Sequence, residues 1–282
     1  MRWLVTGANG MLGTDLVDLL RSQGEDVTAA SRSTLDVTSA DAVADAVAGH
    51  DVVVNCAAWT AVDDAEQHED DALVVNAEAP RLLARAAAAA GARLVQVSTD
   101  YVFDGSADTP YAEDAQLSPV SAYGRTKAAG ETAVRDEHPG GHLVVRTAWL
   151  YGAHGGCFPK TIARVARERG EVKVVDDQVG QPTWTADVAA TIVALVQADA
   201  PAGTYHATSS GRCSWFDFAQ QVVVAAGLDS SAVQPTTSAD FVRPAPRPSY
   251  SVLGHDALTA LGLDPIGDWS ERWAVAAPSV LG

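Results

Sequence analysis

Eight residues near the start of the chain, Thr6-Gly7-Ala8-Asn9-Gly10-Met11-Leu12-Gly13, constrain its fold more than any other segment. They follow a short apolar run, Trp3–Thr6, and lead into an amphipathic one, Met11–Arg21, with the glycines spaced GxxGxxG. In that setting Gly7 permits a tight strand-to-helix turn, Gly10 lets the backbone approach a pyrophosphate, and Gly13 lets the helix pack close to its sheet. The free amides at the helix start then face the phosphates. Glycines alone would also suit a plain turn; the strand before them and the helix after them favour a nucleotide site.

The same alternation runs through the first half. Strands are expected near Trp3–Thr6, Asp26–Ala30, Val52–Asn55, Arg93–Ser98 and His142–Thr147, with helices near Met11–Arg21, Ala40–Ala48, Asp70–Ala90 and Ala122–Asp136. Val/Leu-rich strands separated by Ala-rich amphipathic helices build right-handed crossover units on a parallel sheet. The fold class is therefore α/β: a Rossmann-type doubly wound parallel sheet over residues 1–150, with a smaller substrate-binding lobe over 151–282 from which segments can return to the sheet. In that lobe we expect helices near Phe158–Glu168, Ala186–Gln197 and Trp215–Ala226, and strands at Val172–Val175 and Thr204–Ala207. Pro235–Pro248, rich in Pro and Ser, is expected as an ordered loop or edge segment without helix. With 282 residues, 47% of them hydrophobic, the chain can bury a full core.

Charge restricts the partners. A formal net charge of -17 repels nucleic acid and acidic membrane surfaces, and no basic run offsets it. An anionic nucleotide must then be held by backbone amides and individually placed arginines. Cys56, Cys157 and Cys213 lie far apart, without CxxC or zinc-site spacing, and read as reduced thiols. Met1-Arg2 leads straight into a strand, and Arg85 and Arg93 interrupt the Ala-rich stretch Leu82–Val95, so neither a signal peptide nor a membrane span is expected. A cytoplasmic enzyme fits this pattern.

The end of the second strand bears on the choice of nucleotide. NAD sites usually place an acidic residue there, whereas this chain has Ala30-Ser31-Arg32, where Ser31 and Arg32 would welcome a 2′-phosphate. NADPH is the expected cofactor, with acceptance of NADH left open; Arg32 also fits an ordinary solvated charge. Asp36-Val37 is placed to flank an adenine, and Ala57-Ala58-Trp59-Thr60 ends the third strand at the rim where ligands lie. From composition alone Trp59 reads as a packing aromatic.

Tyr123 and Lys127 stand four residues apart, so on one helix they share a face, with the ammonium near the phenol. A free phenol titrates near ~10, and the ammonium, aided by a positive nicotinamide ring, is expected to lower that value. Ser98-Thr99-Asp100 closes the fourth strand at the same rim as the glycine loop, where Thr99 can hydrogen-bond a substrate carbonyl or the phenol. Such a set suits carbonyl reduction: hydride passes from a nicotinamide to carbon, Tyr123 protonates the oxygen, and Lys127 also holds the nicotinamide ribose. A half-buried aromatic beside a solvated lysine is the plainer alternative.

Further motifs accompany these: NCAAWTAVDDAE at Asn55–Glu66, NAEAP at Asn76–Pro80, STDYVFDG at Ser98–Gly105, SPVSAYGRTKAAGE at Ser118–Glu131, RTAWLYG at Arg146–Gly152 and DQVGQPT at Asp176–Thr183. Through them the chain resembles, over nearly its whole length, dTDP-4-dehydrorhamnose reductase and its relatives among nucleotide-sugar 4-ketoreductases, which are extended short-chain dehydrogenases. The resemblance implies Thr99, Tyr123 and Lys127 as the catalytic set, Trp149 as the sugar-contacting residue, and Asp100 beside the substrate. It also implies Gly10, Met11, Leu12, Asp36, Val37, Ala58, Trp59, Thr60 and Val97 as the cofactor lining. The implied reaction is reduction of the 4-keto group of a dTDP-4-keto-6-deoxy-L-hexose, foremost dTDP-4-dehydrorhamnose to dTDP-L-rhamnose.

Ser121 and Cys157 depart from the family pattern, standing where it often has Asn, and Cys157 is a candidate for the sugar pocket. Some relatives hold Mg²⁺ at a dimer interface; Asp15 matches one acidic ligand, but Ala186 stands at another, so no required metal is expected, and monomer or homodimer stays open. Trp184, Trp215, Trp269 and Trp273 read as core, His154 and His206 receive no role, and Arg243 and Arg247 fit either a substrate diphosphate or the surface. Two other functions compete. A related epimerase or dehydratase shares the Tyr-Lys pair, but a dehydratase usually carries Asp-Glu after its Thr, and here Asp100 is followed by Tyr101. A non-catalytic nucleotide-binding subunit of the methionine adenosyltransferase type is disfavoured by the intact Thr99, Tyr123 and Lys127.

Overall fold

Six parallel strands form the central sheet of the computed structural model, which describes residues 1–282. Five belong to the first half: β1 (Arg2–Thr6), β2 (Asp26–Ala30), β3 (Val52–Asn55), β4 (Arg93–Thr99) and β5 (His142–Thr147). The lobe adds short strands β6 (Leu150–Tyr151), β7 (Val172–Val175), β8 (Val179–Gly180), β9 (Thr183–Trp184), β10 (Gly203–His206), β11 (Ser209–Ser210), β12 (Cys213–Ser214), β13 (Val233–Thr236) and β14 (Ile266–Asp268). Of these, β10 returns to pair with β5, which sets the sheet order β2-β1-β3-β4-β5-β10. The winding direction reverses between β1 and β3, and ligands of such sheets lie in the crevice beyond the strand ends at that reversal.

The helices are α1 (Met11–Ser22), α2 (Ala40–Val47), α3 (Glu69–Leu73), α4 (Ala79–Ala90), α5 (Ala122–Glu137), α6 (Phe158–Arg169), α7 (Thr185–Gln197), α8 (Trp215–Ala225), α9 (Asp256–Ala260) and α10 (Trp269–Leu281). Successive strand residues point to opposite faces, so Trp3 and Val5 of β1 enter the core with Leu16, Leu20, Val188 and Ile192 of α1 and α7. Leu4 enters the other, with Val43, Leu83 and Val134 of α2, α4 and α5. A third core, built on Tyr151, Ile162, Phe218, Val222 and Trp273, lies between α6, α8 and α10. No helix is long and apolar enough to cross a membrane.

Two local features differ from the sequence expectation, and a third makes it specific. The single helix expected over Asp70–Ala90 is α3 and α4 joined by a π turn, Val74–Glu78. Pro80 explains the widening: it has no N–H to give the Asn76 carbonyl four residues back, and its ring would clash there. The freed carbonyl instead lies against Gly130 of α5, where a Cβ would stand only 2.0 Å from it. Helix α10 was not anticipated, because Pro278 in its last turns disguises the periodicity. Finally, β13 takes the start of the Pro-rich segment into a parallel pair with β7, and the remainder carries Arg243 and Arg247 to Asp63, with Arg247 Nη2 2.9 Å from Asp63 Oδ1. Both arginines are thus ion-paired within the chain.

Candidate active site

The glycine loop turns as its spacing requires. Gly7 has φ 64°, and a Cβ there would stand 2.6 Å from the Ala57 amide nitrogen; a Cβ on Gly13 would stand 2.3 Å from the Gly7 carbonyl oxygen. Gly10 supplies no side-chain cap to α1, so the first amides of that helix remain free for an anion. They open into a cleft of about 1240 Å³ at the strand reversal.

Every residue that the sequence assigned to catalysis, cofactor or sugar lines this cleft. Gly7, Gly10, Met11, Leu12 and Gly13 form its floor; Ser31, Arg32, Asp36 and Val37 lie at the end of β2; Ala58, Trp59 and Thr60 follow β3; Val97, Thr99 and Asp100 end β4; Tyr123, Lys127 and Trp149 close the far side. Arg32 is exposed. Asp36 is held below the usual carboxylate range by hydrogen bonds from the Thr38 hydroxyl and amide. Trp59 is braced by Asn76 of the π turn, which accepts from the Trp59 amide at 2.8 Å and donates to its carbonyl at 3.1 Å.

Tyr123 and Lys127 occupy the first two turns of α5, whose N-cap is Ser121, accepting from the Gly124 amide at 3.1 Å. Ser121 is fully buried in that capping role and does not line the cleft. Cys157 likewise sits at the N-cap of α6, its Sγ 3.8 Å from the Gly152 carbonyl, outside the lining. Lys127 Nζ donates to the Val97 carbonyl at 2.7 Å, and burial lowers its pKa to about 8.

The expected lowering of the Tyr123 pKa is not found. Burial pushes the phenol well above the tyrosine range, with the Thr99 hydroxyl easing the shift and the Asp100 charge adding to it. The cause is desolvation. A phenol so placed stays protonated at neutral pH, the state a proton donor needs.

Beside it, Thr99 Oγ1 donates to Asp100 Oδ1 at 2.8 Å and accepts from the Tyr101 amide at 3.2 Å. Asp100 is 2% exposed, and its Oδ2 lacks a well-formed hydrogen bond. Burial raises its pKa to about 6, the Ser251 and Thr99 hydroxyls moderating the rise. Because the folded value lies above the ordinary one, the folded state binds the extra proton between about pH 4 and 6. The cost of the buried charge is fully present above that window and absent below it. Asp100→Asn is therefore expected to raise Tm by about 2–6 °C near neutrality, with the gain vanishing near pH 4 and turnover falling. Thermal unfolding at pH 7.5 and pH 4.5 checks this; an unchanged or lower Tm at pH 7.5 would count against it.

Several residues of the site carried no assignment from the sequence. Tyr101 packs edge-on to Tyr123, ring centroids 5.5 Å apart. Cys56 lines the cleft, its thiol pushed up by burial to about 12. Tyr101 adjoins Thr99-Asp100 and Asn76 lies in a quoted motif, so adjacency was the available signal; Ser251 arrives only through the fold. His154, given no role, stands at the cleft edge with its Nε2 3.4 Å from Asp15, which also accepts a hydrogen bond from Thr185. Trp149 takes left-handed backbone, φ 47°, at a cost of roughly 1–2 kcal/mol for a non-glycine residue. Its carbonyl accepts from Thr183 N at 3.2 Å.

Known proteins similar to this chain point to one family. The model of a family described as the RmlD substrate binding domain matches residues 1–279. A probable dTDP-4,6-dihydroxy-2-methyloxan-3-one 4-ketoreductase of Streptomyces antibioticus is 51% identical, with 100% of this chain and 96% of that protein covered. A dTDP-4-dehydrorhamnose reductase of Streptomyces griseus is 50% identical, with 100% and 94% covered. Among solved structures, a dTDP-4-dehydrorhamnose reductase of Bacillus anthracis in complex with NADP superposes with a TM-score of 0.93 at 37% identity, covering 98% of each chain. Matched across residues 1–279 and half identical to reductases of dTDP-linked sugars, the chain belongs to the dTDP-4-dehydrorhamnose reductase family.

Proposed function

We propose that this chain reduces the 4-keto group of a dTDP-4-keto-6-deoxy-L-hexose, foremost dTDP-4-dehydrorhamnose to dTDP-L-rhamnose, with NADPH as reductant. The observation that carries the proposal is a single cleft where Thr99, Tyr123 and Lys127 meet the uncapped start of α1 on one side and Trp149 on the other. The amides after Gly10 suit the cofactor's pyrophosphate, Ser31 and Arg32 its 2′-phosphate, and Asp36 and Val37 its adenine. Ala58, Trp59, Thr60 and Val97 flank the remainder, and Lys127 is assigned to the nicotinamide ribose. When bound, the dihydronicotinamide supplies the hydride that reduces the keto carbon.

The chain's own task is then to place the ketone and manage one proton. Tyr123, kept protonated by burial, gives its proton to the oxygen as negative charge develops there. Lys127, with a pKa of about 8, is mostly ammonium at neutral pH and stabilises the phenolate left behind. Thr99, whose hydroxyl donates to Asp100 before the substrate arrives, turns that one proton to the ketone oxygen and so orients the carbonyl. Trp149 receives the sugar. Elimination of water would require a further acid/base couple, and the residue after Asp100 is Tyr101, whose burial also raises its pKa. The proposal describes a cytoplasmic enzyme with small-molecule partners, its net charge of -17 set against nucleic acid.

The test is NADPH oxidation with enzymatically prepared dTDP-4-keto-6-deoxyglucose, with and without a 3,5-epimerase, followed by NMR of the product. Turnover that depends on the epimerase is expected, with a lower KM for NADPH than for NADH. Turnover without the epimerase would reassign the substrate to the unepimerised sugar. No turnover in either arm would overturn the proposal, and a lower KM for NADH would overturn its cofactor.

A further inference from the structure

Trp215, which reads as core in the sequence, lies against the sugar-side wall of the cleft. Strands β8 and β12 pair antiparallel, with Cys213 opposite Gly180 and Ser214 opposite Val179. Trp215 follows at once as the first residue of α8, whose start is held by a capping box. Ser214 Oγ accepts from the Asp217 amide at 3.0 Å, and the Ser214 amide donates to Asp217 Oδ2 at 2.9 Å. Two elements of the lobe thus deliver Gly180 and Trp215 to the same place, and the indole of Trp149 lies between them and the cleft.

The contacts are close. A Cβ on Gly180 would stand 2.4–2.7 Å from Cε2, Cζ2 and Nε1 of Trp149, so glycine at that position leaves the ring its room. Trp215 lies flat on Trp149, with ring centroids 3.6 Å apart and planes 6° from parallel. Phe158 braces Trp215 in turn at 4.4 Å. Centroids this near approach a cofacial sandwich, whereas free aromatic rings prefer offset or edge-on contacts. The pair is therefore held by its surroundings. Trp149 also has the left-handed backbone noted above, so its orientation depends on packing and not on a local preference.

We propose that Trp215 is a positioning residue for the nucleotide sugar: stacked on Trp149, it fixes the indole surface on which the C–H faces of a deoxyhexose rest. The inference depends on the assignment of Trp149 to the sugar made under the proposed function. No residue of α8 lines the cofactor cleft, and none contacts Tyr123 or Lys127 through a hydrogen bond. Loss of the stack should then weaken sugar binding while sparing both the cofactor and the proton transfer.

Steady-state kinetics of Trp215→Ala, with the sugar and NADPH varied separately, test this. The KM for the dTDP-keto sugar is expected to rise about tenfold, with kcat within about threefold and the KM for NADPH unchanged. Trp215→Phe, which keeps a stacking ring, is expected to recover most of the loss. Gly180→Ala, which crowds the same indole while Trp215 stays, should give the same sugar-only rise and serves if Trp215→Ala fails to fold. An unmoved sugar KM in Trp215→Ala, or a rise shared equally by NADPH, would overturn the inference. Wild-type inactivity toward the keto sugar would instead reject the functional proposal, so the two failures are separable.

Discussion

Tyr123→Phe is expected to lower kcat by ~10²–10⁴-fold, the usual scale for removing a positioned proton donor, while NADPH affinity stays within about twofold. The substitution removes one oxygen from a buried ring and leaves its packing against Tyr101 intact. The effect is large because the alternatives are poor. Tyr101 is itself partly buried with a raised pKa, and the Thr99 hydroxyl already donates to Asp100. Lys127 spends one proton on the Val97 carbonyl. Steady-state turnover together with NADPH titration checks the expectation; a kcat within tenfold of the wild type would sink the role given to this phenol.

The second large effect is expected about two turns further along α5. Glu131 is fully buried, and its two oxygens accept from Arg146 Nε at 2.9 Å and Nη2 at 2.8 Å, with Arg135 Nη2 adding a third bond at 2.7 Å. Burial opposes its ionisation, yet the hydrogen bonds and charge of Arg146 hold its pKa below the usual range. His206 cannot share the load. Burial and the Arg146 charge take its pKa to about 3, so it is neutral, its Nδ1 donating to the Gly254 carbonyl and its Nε2 accepting from Arg146.

Glu131→Gln then leaves the buried guanidinium uncompensated and turns amide N–H groups toward its donors. Breaking such a pair from one side is expected to cost roughly 3–5 kcal/mol. Urea unfolding measures it, and a loss under about 1 kcal/mol would contradict the account. A kinetic consequence follows from the sign of the charge. Glu131 raises the Lys127 pKa against burial, so its neutralisation should discharge the ammonium at lower pH and move the alkaline limb of kcat downward.

How much of this was legible beforehand depended on the range of the interaction. The strand and helix alternation, the glycine loop and the Tyr123-Lys127 spacing are local patterns, and the parallel, doubly wound class followed from them through crossover geometry, whereas the strand order came from the structure. The pKa of Tyr123 was expected in the wrong direction because four-residue spacing reports a neighbour's charge but says nothing of the water that folding removes. Arg243 and Arg247 were ambiguous because their partner, Asp63, lies 180 and 184 residues away. The π turn was decided jointly by Pro80 and by Gly130 on another helix, so neither segment announces it alone.

By itself, then, the amino-acid order determined the doubly wound architecture, the nucleotide turn and the identity of the residues gathered at one rim, because backbone preference and hydrophobic period act between near neighbours. Only the tertiary structure decided how strongly Tyr123, Lys127 and Asp100 are desolvated, which cations are already neutralised, and that Trp149 rests on Trp215 and Gly180. Desolvation and stacking are set by atoms that meet across the fold, and their energies depend on distances that no local stretch of chain contains.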